Sequence, residues 1–418
     1  VVSLFEANDP RGERSDTVTA RTLLTRGERQ AVRLAGEPVA QAELLDVIGR
    51  IRMMLGAYAD ARPSLEHAYA ITRQLRGDGH PASIRRQLGL ALLAEREGRL
   101  DDADRDNRAA LEHAIRIGSD SSVLALDALF QLASVQHLRG RYASSDSIFL
   151  RWSAGVERAA RPADSTLARQ LHVYGEYLGA RQQLQRTPGE AVAVLRRALA
   201  ARRSVFGAGH TDVAVTQQRL AIALSREGQM AEADSLMADA LPILERAYPE
   251  GHRELVDAHH NYGAMLQSAG RHREALRHFE TAAAMMTRLV GADHPLGAAY
   301  HLGWGSALLV AGEHAEAVRI LAEAGDRFRG QGATGALMAS VADLGRSESL
   351  LAIGRRRDAE RLALDTYRSV AAAHGDRHRL ARRAMRALVA TYEADARTDA
   401  AARWRVRLAA ADSAAAAR

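Results

Sequence analysis

Tyr262-Gly263-Ala264-Met265-Leu266-Gln267-Ser268-Ala269-Gly270-Arg271-His272-Arg273-Glu274-Ala275, with Phe279 and Ala282 beyond it, is the stretch that decides how this chain folds. A small residue stands seven positions before Gly270, an Ala five after it and another twelve after it. The same slots return every 42 residues. The glycine recurs at 56, 98, 140, 228, 270, 312 and 354, with Arg186 in its place after a four-residue slip and Ala396 at the end. Five positions on stand Ala61, Ala103, Ser145, Ala191, Ala233, Ala275, Ala317, Ala359 and Ala401. Seven before the turn come Gly49, Ala91, Ala133, Ala221, Gly263, Gly305 and Ser347. Twelve after it come Ala68, Ala110, Ala198, Ala240, Ala282 and Ala324. Stacked units that bury their apolar faces only against their neighbours repeat in this way, and a catalytic core does not.

Between the glycines the pattern is helical. Ala214, Val215, Leu220, Ala221, Ile222 and Leu224 recur at three- and four-residue steps, and Met230, Ala233, Leu236, Met237, Ala240 and Leu241 do so after Gly228. Each unit therefore reads as helix A, a tight turn, helix B and a linker. Gly suits the turn because positive φ costs it nothing. The slot at seven before lies where the two helices cross, and close crossing requires small side chains; the slot at twelve after is expected to face the next repeat. In the linkers, His80, His210, His252, His294 and His378 all fall 18 positions before a turn, where they read as helix-start residues bonding nearby backbone. The expected architecture is an all-α solenoid of about nine helix-turn-helix repeats. Residues 1–36 form a junction and a capping helix (about 16–34, with Asp16 as cap), and residues 37–418 form the array, closed by a helix over about 399–414. The slip lies either around Arg161-Pro162 or in the turn Gln185-Arg186-Thr187-Pro188-Gly189. Gly175 and Gly179 both fit the small slot, and a hinge is expected near residues 160–190.

Composition narrows the function. A length of 418 residues suggests two or three domains, but a one-dimensional repeat overrides that expectation. There is no Cys, hence no disulfide framework, thiolate zinc site or Cys nucleophile. There is no Lys either, which excludes the phosphate-pairing Lys of a kinase site or P-loop and the Lys of a pyridoxal Schiff base. The net charge of +6 is local: fifteen Arg stand against eight acids between Gly345 and Leu408. That excess reads as solvated helix faces or as a docking patch for an acidic partner, nucleic acid or lipid headgroups. No run of 18 apolar residues crosses a membrane. Val1, Val2, Leu4 and Phe5 read as the end of something apolar, and the chain as a fragment of a longer protein.

These columns resemble the tetratricopeptide repeat. The 42-residue period and Asp293-His294-Pro295 resemble its kinesin-light-chain-type variant, over roughly Pro38 to Leu408. The resemblance implies a right-handed superhelix whose concave groove, lined mainly by A helices, binds peptides or folded partners without catalysis. Leu4-Phe5-Glu6-Ala7-Asn8-Asp9-Pro10, Asp16-Thr17-Val18-Thr19-Ala20-Arg21 and Glu43-Leu44-Leu45-Asp46-Val47-Ile48-Gly49 resemble the junction in certain bacterial serine/threonine protein kinases. That likeness implies a sensor or docking region, cytoplasmic or tethered to the inner membrane through an upstream span. The Asn that clamps a peptide backbone ten positions before the turn in that variant is missing here. The column reads Asp46, Leu88, Phe130, Gln218, His260, Leu302, Leu344 and Arg386.

No catalytic, cofactor or metal residue is assigned. His259, His260, His272, His301 and His314 read as packing residues, and His374 and His378 as flanking a loop. Gly330-Gln331-Gly332-Ala333-Thr334-Gly335 matches a dinucleotide fingerprint but follows a helix rather than a strand, so it reads as a flexible linker. Groove positions are expected 13, 10, 6 and 3 before each turn. Their occupants are Asp46, Arg50, Arg85, Asp127, Phe130, His137, Gln218, Asp257, His260, Gln267, Leu302, Arg383 and Arg386, with Leu344 and Leu351 as further apolar anchors. Charges mixed with a few large apolar residues suit a protein or peptide partner. A free adaptor or the regulatory repeats of a transcription factor is the alternative. Direct nucleic-acid binding is disfavoured, because RNA-reading helical repeats run near 35 residues.

Overall fold

The computed structural model describes residues 20–159, 162–185, 190–291 and 294–416, and every regular element among them is an α-helix. Residues 1–19, and with them Asp16 and most of the kinase-like junction, lie outside these, as do Arg161, Arg186, Thr187, Pro188, Gly189 and Asp293. The chain divides into two compact units, residues 1–162 and 163–418.

The first unit holds α1 (Ala20–Arg33), α2 (Pro38–Met54), α3 (Tyr58–Arg76), α4 (Pro81–Arg96), α5 (Leu100–Ile117), α6 (Val123–Leu138) and α7 (Tyr142–Ala159). The second begins with α8 (Ser165–Gln185), α9 (Glu190–Phe206), α10 (Thr211–Arg226), α11 (Met230–Ala247), α12 (Arg253–Ser268) and α13 (His272–Val290). It ends with α14 (Pro295–Ala311), α15 (His314–Arg329), α16 (Ala333–Ala352), α17 (Arg356–His374), α18 (Arg379–Ala394) and α19 (Thr398–Ala416). Even numbers are A helices and odd numbers B helices, and α1 is a B helix whose A-helix partner is not among the described residues.

Within each unit a helix packs on the helices before and after it, so each unit is a solenoid stack. A helices of successive repeats also touch, as in α4 with α6 and α10 with α12, and successive B helices make no comparable approach. The A helices therefore line the inner face of each stack.

Local chemistry explains the period. At Gly270 the backbone turns left-handed (φ 77°), and the next N–H, of Arg271, donates to Leu266 O at 2.8 Å, closing the helix end. Ala396 adopts the same conformation at φ 55°, the only non-glycine residue with positive φ among those described. The Ala residues five positions past the turn are at most 1 % exposed. Ser145, the exception, donates its hydroxyl to Ala133 O at 2.9 Å, and Ser347 in the opposing column donates to Ala359 O at 2.8 Å. A small hydroxyl fits because the facing carbonyl satisfies it.

The five linker histidines are helix caps. Nδ1 of His80, His210, His252, His294 and His378 accepts the N–H two residues on at 3.1, 3.1, 3.2, 3.2 and 3.3 Å. Ser122, in the same column, accepts from Ala125 N at 3.3 Å.

The structure places the slip. A Cβ on Gly175 would lie 2.6 Å from Leu195, the contact that Gly305 makes with Leu321 at 2.7 Å, whereas one on Gly179 would meet nothing within 4 Å. Gly175 is the crossing residue, so 42-residue spacing holds up to it and the four extra residues follow it. They lengthen α8 to 21 residues, against 16 in α10 and α12. Gly330 and Gly332 link α15 to α16, with Gly332 at φ 65°, and Gly335 stands in the first turn of α16. The link is not slack: a Cβ on Gly335 would meet Phe328 O at 1.9 Å.

Candidate partner-binding face

The inner face is built from what the A helices project. In the first unit, Arg50 Nε pairs with Asp46 at 2.8 Å along α2, and Arg85 on α4 is exposed. On α6, Asp127 is half-buried, and exposed His137 lies edge-on to the Tyr142 ring with centroids 5.3 Å apart. Arg86 reaches from α4 to Glu43 on α2 at 2.8 Å. In the second unit, Asp257 on α12 accepts the Tyr300 hydroxyl from α14 and sits 3.7 Å from Arg253. Burial and the Asp257 carboxylate raise that phenol's pKa. His260 packs edge-on against Phe279 and Tyr300, and burial lowers its pKa. Gln267 and Leu302 are half-buried. Arg383 on α18 grips Glu348 on α16 with two bonds of 2.8 and 2.9 Å, and Arg386 pairs with Asp412 at 3.3 Å.

Three expected groove residues require correction. Phe130 is 3 % exposed and stacks edge-on against Phe149 and Trp152 in the core. Gln218 and Leu344 are 0 % exposed. The column ten before the turn points into the seam between successive A helices. His260 shows how: it lodges against the next A helix, where a Cβ on Gly303 would lie 2.7 Å from its ring. Arg386 in the same column is exposed because α18 is the last A helix described.

One cavity of about 330 Å³ opens on the inner face between α8, α10 and α12. Glu176, Arg219, Arg226 and Asn261 give it polar walls, and Gly175, Gly179, Leu195, Ile222 and Ala223 are among the rest. Glu176 holds Arg219 Nε at 2.6 Å, and Arg226 donates to Gly179 O at 3.2 Å. Beside it His172 is pressed between helices, with its Nδ1 3.3 Å from Thr216 Oγ1. The Thr216 hydroxyl also accepts from buried Arg202 at 2.8 Å. Burial first, then the Arg202 and Arg219 charges, push the His172 pKa down to about 3.

None of the four polar wall residues was expected from the sequence. Arg219 and Asn261 lie nine before their turns, one residue from the column chosen, and the slip removed Glu176 from the register. The helical period itself holds the signal, since positions 13, 9, 6 and 2 before a turn share one face.

Part of the Arg excess near the C-terminus is engaged between helices. Arg397 bonds Glu360 at 2.7 Å, Arg407 bonds Asp376 at 2.9 Å, and Arg382 bonds Asp412 at 2.7 Å. No group of three or more His, Cys, Asp or Glu side chains is placed to hold a metal among the described residues, and no described helix is long and apolar enough to cross a membrane.

The family model described as tetratricopeptide repeat matches residues 40–105, 172–246 and 254–329, just over half of the chain. No curated protein matches. Among solved structures, similarity extends to a signal-transduction ATPase with numerous domains and a tetratricopeptide repeat sensor from Pyrococcus horikoshii. It has 11 % identity and a TM-score of 0.57, covering 87 % of this chain and 54 % of that one. Aspartyl phosphate phosphatase F from Bacillus subtilis has 12 % identity and a TM-score of 0.50, covering 96 % of each. BtubC from P. vanneervenii has 21 % identity and a TM-score of 0.46, covering 57 % of this chain and 94 % of that one.

Proposed function

Because the chain belongs to the tetratricopeptide repeat family, we propose that it is a non-catalytic scaffold. Its inner face docks a protein or peptide, and it serves as the sensor or docking region of a bacterial serine/threonine protein kinase. The observation that carries the docking reading is the cavity between α8, α10 and α12. It is large enough for a side chain, and it combines apolar walls with Arg219, Arg226, Glu176 and Asn261. Half-buried polar residues, among them Asp257, Gln267 and Arg383, continue the face within the second unit. The kinase reading is supported by the likeness of residues 4–10, 16–21 and 43–49 to a kinase junction.

Panning a random peptide library on the chain tests the docking reading. Peptides selected on the native protein should bind Arg219→Glu and Asn261→Ala variants at least tenfold more weakly. Unchanged affinity in both variants would remove the cavity from the docking face. The kinase reading is tested by the coding sequence upstream of Val1. A kinase domain followed by an apolar span supports it, and a start codon directly before this stretch refutes it.

A further inference from the structure

On α12, His259 faces α13 and not the inner surface. Its Nδ1 lies 3.0 Å from Nδ1 of His278 on α13, with the two rings 28° from parallel. Behind it, Glu245 on α11 holds its Oε1 3.8 Å from His259 Nε2. A carboxylate on that side favours the tautomer with the proton on Nε2, which leaves the Nδ1 of His259 unprotonated on the side of His278. Two ring nitrogens bound to one ion at about 2.0–2.1 Å, at right angles to each other, stand about 3 Å apart, and that is the separation found. The site is open on one side, since His278 is half-buried while His259 is 7 % exposed. Glu245 and Glu274 lie near His278, with Arg277 opposing them.

We propose that His259 and His278 form a two-imidazole chelate for a single divalent transition ion of the copper, nickel or zinc class, with water completing its coordination. Imidazole pairs select these ions over magnesium or calcium, and copper binds tightest. The ion staples α12 to α13 behind the helix face that presents Asp257. It would thereby hold part of the inner face in one conformation.

The test uses the whole chain, stripped with a chelator and titrated by calorimetry with Cu²⁺ alone and then Zn²⁺ alone. One tight ion per chain is expected. Affinity should fall at least tenfold in His278→Ala, with an unchanged circular dichroism spectrum and melting temperature of the metal-free chain as the check that the variant folds. A several-fold loss is expected in Glu245→Gln, which leaves both ligands in place. His374→Ala removes one member of the other close imidazole pair, His374 and His378 with centroids 4.9 Å apart, and should change nothing. Absence of a tight ion, unchanged binding in His278→Ala, or loss confined to His374→Ala would overturn the proposal.

Discussion

The α12–α13 and α8–α9 hairpins carry the same slots and differ by one helical turn. In α12–α13 the small residue, turn glycine and Ala keep their spacing, and Gly263 lets the Phe279 ring approach to within 3.0 Å of where a Cβ would be. In α8–α9 the crossing survives through Gly175 and Leu195, but four residues are added beyond it. The addition leaves the crossing intact because only the small slot and its partner must meet. The added length falls at residues 181–185, past the cavity, whose α8 wall (Gly179 and Ala180) occupies the stretch that Gln267 and Ser268 occupy at the end of α12. Packing between paired helices tolerates little change, and the free end of an A helix tolerates a whole turn.

The sharpest way to break this comparison is at the two glycines of α8. Gly175→Ala should cost about 2 kcal/mol, because the added methyl overlaps Leu195 in a filled crossing. Gly179→Ala should be neutral or gain up to about 1 kcal/mol from helix propensity. Urea unfolding of both variants decides it, and equal effects would mean that the slip is misplaced.

Acid should act on the lengthened repeat almost as strongly. His172, beside Arg202, Arg219, Glu176 and Thr216, has its folded pKa lowered to about 3 from 6.5. The unfolded chain therefore takes up the proton first. Stability is complete above pH 6.5 and falls as pH drops from there toward 3. His172→Gln should remove about 2 kcal/mol of the loss between pH 7 and pH 5. Melting temperatures of the two proteins across that range provide the measurement.

The turns provide a smaller contrast. Gly270→Ala should lose about 1 kcal/mol, and Ala396→Gly should recover up to about 1 kcal/mol, since both positions are left-handed and only one holds an L side chain. Thermal unfolding would show opposite shifts. Smallest is the cap: His294→Ala should cost about 0.5–1 kcal/mol and His294→Asp should largely restore it. If the Asp variant were no better than Ala, the imidazole would not be acting as the acceptor at Leu296.

Asp257, Gln267, Arg383 and Arg50 were expected to line a groove; the structure places them half-buried on A helices, and their contact with a partner belongs to the proposal. Phe130 and Gln218 were misplaced because columns nine and ten before the turn differ by only 100° around the helix. Which one meets solvent depends on the angle at which the next A helix arrives. The same applies to His259 and His278, which are 19 residues apart and meet only through the crossing of their helices.

The amino-acid sequence by itself determined the helices, the turns, the histidine caps and the number of repeats, because each depends on contacts within a few residues. Gly270 turns, His294 caps and Ala275 packs for reasons that need only the chain on either side. The tertiary structure alone decided whether Gly175 or Gly179 stands at the crossing, and whether a polar side chain faces a seam or a cavity. Those outcomes depend on the approach of helices from other repeats, which local spacing does not encode.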